Sequence, residues 1–133
     1  GKVIRVDRMG APRPDNPFIS TPGTNPAIWS LGHRNPYGLA WDLDRRLLWS
    51  TEMGPAGGDE LNVISKGANY GWPEVSEGNH YDGRPIPRHS TRPEFRAPAY
   101  SWTHTAAPSG LMVYRGALFP AWRTNLFAGG LAG

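Results

Sequence analysis

Apolar and polar residues alternate along this chain in short bursts, each closed by turn-forming residues. Lys2-Val3-Ile4-Arg5-Val6 reads as a strand in which charged residues interrupt β-branched ones. A turn-rich stretch follows through Pro12, Pro14, Asn16-Pro17 and Pro22-Gly23. Gly38–Asp42 and Leu47–Glu52 then predict two strands joined by a tight turn at Leu43-Asp44-Arg45-Arg46, a hairpin. Leu61–Ile64 is a further short strand, closed by Lys66-Gly67. Between Trp72 and Pro98 the hydrophobic period disappears into Pro, Gly, His and Arg, and loops of that length are usually functional or disordered. Tyr100–Trp102, Leu111–Tyr114 and Leu126–Ala128 resume the strand pattern. Short strands divided by turns imply a sandwich, a barrel or propeller blades, with no clean internal repeat to choose among them.

Composition supports an all-β, loop-rich domain. Seventeen glycines and 14 prolines among 133 residues favour turns over long helices. The same bias can mark disorder, but disordered chains are poor in aromatics, and this one carries six Trp, five Tyr and four Phe. The length is sufficient for one domain with a core. A formal charge of +3 is spread over scattered Arg residues rather than gathered in a stripe, so nucleic acid is not an expected partner. There is no cysteine, which suits a periplasm without fixing the compartment. No apolar run is long enough to span a bilayer, and the N-terminus lacks the form of a signal peptide. The chain opens directly on a strand and closes in an apolar run from Leu126 to Gly133, as a piece of a larger fold would.

Two clusters could carry chemistry. Arg34-Asn35 sets a rigid fork of donors beside an amide, and Pro36 holds Asn35 out of the helical region. That corner could bind a carboxylate or a quinone oxygen, or Arg34 could pair with a local acid. In Glu52-Met53-Gly54-Pro55-Ala56-Gly57-Gly58-Asp59-Glu60, glycines let the backbone bend, and Asp59 and Glu60 offer hard oxygens of the kind calcium takes. A surface turn with solvated acids fits the same residues. His33, His80, His89 and His104 have no zinc-site spacing. His33 is either a hydrogen-bonding strut or a site residue, while His80 and His89 read as solvated loop residues. The six Trp read as packing residues, and Tyr81, on the long loop, could either stack on a planar ligand or close over the sheet.

Taken in order, these blocks resemble one enzyme family. Gly1-Lys2-Val3 through Asp15-Asn16-Pro17-Phe18, Gly32–Leu39, Glu52–Glu60, Gly67–Pro73, Pro108-Ser109-Gly110 and Phe119-Pro120 through Leu126-Phe127 are similar to the pyrroloquinoline quinone-dependent aldose sugar dehydrogenases and soluble glucose dehydrogenases. The resemblance covers nearly the whole chain. It implies a partial glucose/sorbosone dehydrogenase-type domain over residues 1–133, part of a six-bladed β-propeller. With blades of roughly 40–50 residues, that amounts to about two to three blades.

On that resemblance Arg34 and Asn35 bind the quinone and Tyr81 lies against it. Gly130, Leu131 and Ala132 match a later cofactor-contacting stretch, where many relatives have Lys at the position of Ala132. The Glu60 carboxylate and the Tyr70 carbonyl are implied calcium ligands, with the Gly54-Pro55 backbone near calcium in the glucose dehydrogenase branch. Met53 stands where relatives carry Gln or His. The implied reaction oxidises the C1 hydroxyl of an aldose by hydride transfer to the quinone, assisted by calcium and a histidine base. That histidine belongs upstream of Lys2, and none of the four histidines here matches it, so this stretch alone is expected to be inactive. The resemblance also implies a periplasmic or secreted protein, and leaves the electron acceptor unnamed. The alternative is a non-catalytic propeller of the same superfamily that binds a protein or glycan partner. Open blade edges predict self-association or a missing companion segment.

Overall fold

The computed structural model describes residues 1–132, and its regular structure is β-strand with two short 3-10 turns, His89–Thr91 and Pro120–Trp122. At its centre are β3 (Pro36–Asp42), β4 (Leu47–Glu52), β5 (Asp59–Val63) and β6 (Tyr100–Trp102), an antiparallel meander whose spatial order follows chain order. Before it, β1 (Lys2–Ile4) pairs with β2 (Ile28–Leu31), and after it β7 (Pro108–Val113) pairs with β8 (Leu126–Gly130). A four-stranded meander between two half-sheets is propeller organisation, with one blade complete. The expected two to three blades are thus one whole blade and halves of two others.

Local chemistry explains the junctions. The predicted hairpin forms because the Asp42 carboxylate, wholly buried, accepts from the Asp44 and Arg45 amides and the Arg45 guanidinium. Arg46 closes the turn at a φ of 57°. Arg45 also donates to the Thr124 carbonyl, tying the blade to the β7–β8 half. Next to it, β7 crosses β3 where Gly38 leaves no side chain: a Cβ there would sit 2.7 Å from that of Leu111. The core between the first half-blade and the complete one is small, with Val3, Ile64 and Tyr70 packed under Trp29, Leu48 and Ala68.

Several elements differ from their expectation. β1 ends at Ile4, and Val6 makes only an isolated bridge to Pro12. β2 carries no turn signal of its own and is too short for its alternation to show. It is held by tertiary partners: Lys2–Ile4 on one side, and residues 68–70 in parallel on the other, where Leu31 donates to Ala68 and accepts from Tyr70. β5 starts at Asp59 rather than Leu61, and β7 at Pro108 rather than Leu111. Trp41 and Trp122 are not core residues, being 54% and 44% exposed. The long connection after β5 buries two of its own side chains, Val75 and Ile86.

Candidate cofactor site

The Arg34 corner is built on a buried strut. His33 is fully buried, with Nε2 2.8 Å from Ser30 Oγ and Nδ1 2.8 Å from Glu52 Oε2. A neutral ring satisfies both contacts if Nδ1–H donates to the carboxylate and the serine hydroxyl donates to Nε2. Glu52 also accepts the Arg34 amide, and the His33 ring stacks on Tyr70 at 4.4 Å. Of the two roles open to His33, the structure selects the strut.

Above that strut the Arg34 guanidinium donates through one terminal nitrogen to the Met53 carbonyl and through the other to the Tyr81 hydroxyl, both at 3.0 Å. Its carbon lies 5.3 Å from the Trp72 ring and 5.9 Å from the Tyr81 ring. Among the described residues no carboxylate pairs with it, which overturns the local-acid alternative, and its buried Nε has no partner. A guanidinium with unspent donor capacity between two aromatic faces is suited to a planar anion. The Asn35 side chain is exposed beside it, and the Asn35 carbonyl accepts the Met53 amide.

The glycine-rich turn supports this corner through Asp59. One Asp59 oxygen accepts the Gly54 amide at 2.8 Å, and the other accepts the Ala106 and Ala107 amides at 2.8 and 2.7 Å. The carbonyls of Ala107 and Ala106 accept in turn from the Leu131 and Ala132 amides. Asp59 is therefore a backbone strut rather than the metal-ligand oxygen its residue type suggested. The structure joins the corner, the turn and Gly130–Ala132 in one hydrogen-bonded chain. Met53 and Ala132 both enter it through main-chain atoms, which their side-chain departures leave intact.

Glu60 and Tyr70 lie below. Glu60 is directly opposite Glu52 across the β4–β5 ladder, buried, and contacted by the Asn62 amide nitrogen at 3.1 Å. Burial first, then the nearby Glu52, lift its pKa from an ordinary 4.5 to about 8. The Tyr70 carbonyl accepts from Nε2 of His89, whose Nδ1 lies 2.9 Å from Glu77. His89 is thus a buried strut and not the solvated loop residue expected, whereas His80 and His104 are exposed. Among the described residues no three His, Cys, Asp or Glu side chains converge to hold a metal. The donor set available to a hard cation is the buried Glu60 carboxyl group, the unpartnered Asn62 Oδ1, backbone carbonyls and water.

The raised pKa of Glu60 has a measurable consequence. Unfolded, this group ionises near 4.5, while folded it holds its proton to about 8. Its contribution to stability is full below 4.5 and is lost as pH rises through 8. In calcium-free buffer, urea denaturation of the full-length protein should show stability falling over that window. Glu60→Gln should flatten the fall, and equal pH dependence in both proteins would contradict the assignment.

Sequence reasoning gave no site role to Trp72, which faces Arg34, or to His89, which holds the Tyr70 carbonyl, and it gave Asp59 a different one. Only Asp59 carries a local signal, as an acid immediately after the Gly57-Gly58 pair.

The sequence matches the Glucose / Sorbosone dehydrogenase family over residues 1–133, and the chain belongs to that family. Aldose sugar dehydrogenase YliI of Escherichia coli K12 is 42% identical over 135 residues, covering 98% of this chain and 36% of its own length. A crystal structure of glucose dehydrogenase superposes with a TM-score of 0.93 at 44% identity, over 98% of this chain and 38% of that one. The pyrroloquinoline quinone-bound form of aldose sugar dehydrogenase from Streptomyces coelicolor gives a TM-score of 0.69 at 36% identity, over 98% and 32%. The chain spans about a third of the length of these relatives.

Proposed function

We propose that this chain forms the quinone-holding part of a sugar dehydrogenase that uses pyrroloquinoline quinone to oxidise the C1 hydroxyl of an aldose. The observation that carries the reading is the Arg34 guanidinium, flanked by Trp72 and Tyr81 and free of any carboxylate among the described residues. In this reading Arg34, Asn35 and Tyr81 hold the quinone, with the main chain of Gly130, Leu131 and Ala132 along its edge. When bound, the quinone supplies a two-electron acceptor for the hydrogen leaving sugar C1. Arg34 binds and orients it and stabilises negative charge on its oxygens. Glu60 and the Tyr70 carbonyl would hold calcium, a cation that relieves the crowding of buried carboxylates there.

In this reading neither His33 nor His89 is the base that removes the hydroxyl proton. Both ring nitrogens of His33 and of His89 are already engaged in structural hydrogen bonds. A periplasmic or secreted location belongs to the same reading, as the family resemblance implies. Among the described residues no helix is long and apolar enough to cross a membrane.

The test is aldose-dependent reduction of an artificial electron acceptor by the full-length protein. Turnover should require both the quinone and calcium. A quinone-loaded protein that oxidises no aldose would overturn the reading in favour of a non-catalytic propeller.

A further inference from the structure

Tyr81 stands on a loop with little apolar anchorage of its own. It is 79% exposed, and its neighbours at 80 and 82–85 are exposed as well. The loop nevertheless holds the Tyr81 hydroxyl at 3.0 Å from Arg34. Its base explains why. Asn79 and Ala56 exchange a pair of main-chain hydrogen bonds, fastening the loop to the glycine-rich turn. That approach is so close that a Cβ on Gly58, at a φ of 66°, would lie 2.0 Å from the Gly78 amide.

A single side chain gathers the other groups at this base. One terminal nitrogen of the half-buried Arg88 donates to the carbonyls of Ser76, at 2.9 Å, and of Gly78. The second donates to Asn79 Oδ1 at 2.9 Å. No carboxylate pairs with Arg88 among the described residues. Its two terminal nitrogens reach three points of the loop base, on Ser76, Gly78 and Asn79, a geometry that a lysine ammonium does not reproduce.

We propose that Arg88 is a positioning residue for the cofactor site. It fixes the base of the Tyr81 loop against the glycine-rich turn and so places Tyr81 over Arg34. This rests on the reading that Arg34 and Tyr81 hold the quinone. Arg88 touches no reacting atom and acts through Tyr81 alone.

A double-mutant cycle in the full-length protein tests it, read as the Kd of pyrroloquinoline quinone with calcium present. Arg88→Ala should weaken binding by about tenfold, the loss expected when an orienting contact is no longer preorganised. Arg88→Lys should behave nearly alike. In a Tyr81→Ala background the same Arg88 substitutions should change Kd by less than about twofold, because the residue they act through is gone. Hydrogen exchange of the cofactor-free Arg88→Ala protein should show faster exchange confined to residues 54–58 and 76–85.

A purely structural role would give equal losses in both backgrounds, and that result overturns the proposal. So does a Kd unchanged by Arg88→Ala while Tyr81→Ala still weakens binding, an outcome that leaves the functional reading standing. If the wild-type protein binds no quinone, both fail together.

Discussion

Asp59→Ala is expected to destabilise the cofactor-free full-length protein by about 4 kcal/mol, since it strips three partly buried amides of their acceptor. Each bond to a carboxylate contributes about 1.5–3 kcal/mol, and the losses are not additive because the three share one side chain. Asp59 is 1% exposed, so water cannot take its place without rearrangement. Asp59→Asn should cost about half as much, as the amide keeps one acceptor oxygen and turns a donor toward the remaining N–H. The effect is large beside a typical net stability of about 5–15 kcal/mol. Urea denaturation of the three proteins measures it, and a loss under about 1 kcal/mol for the alanine variant would show that Asp59 is not the strut described.

What the sequence discloses of this fold depends on how local the cause is. β4 and β6 have the bounds their patterns predict. The Leu43–Arg46 turn is equally local, since Asp42 caps it from within the hairpin. β2 is different: four residues become a strand because Lys2–Ile4 and residues 68–70 pair with them.

The site divides in the same way. Residue chemistry marks Arg34, Asn35 and Tyr81 as candidates and the family resemblance gives them the quinone, and Arg34 and Tyr81 meet although 47 positions apart. The work of Asp59 is decided by amides at 106 and 107, so residue type alone suggested a metal ligand. His89 sits in a stretch without hydrophobic period, and only its partners Glu77 and Tyr70 reveal that it is buried. Arg88 was one of many arginines in a basic composition, and three loop acceptors give it a specific place.

The second large effect is on affinity and falls at Arg34. Its guanidinium brings a fixed positive charge, a bidentate fork and an aromatic enclosure to one point, while its other contacts are a neutral carbonyl and a phenol. Alanine there removes the charge-assisted contacts an anionic quinone would make, about 1.5–3 kcal/mol, or roughly a ten- to hundredfold rise in Kd. Lysine would restore charge without the fork and recover only part of that. The measurement that tests the account most directly is therefore calorimetric titration of pyrroloquinoline quinone, with calcium, into the full-length wild-type protein and its Arg34→Ala variant. Saturable binding by the wild type, weakened by that factor in the variant, is the predicted result. No binding by the wild type, or equal affinity in the two, would contradict it.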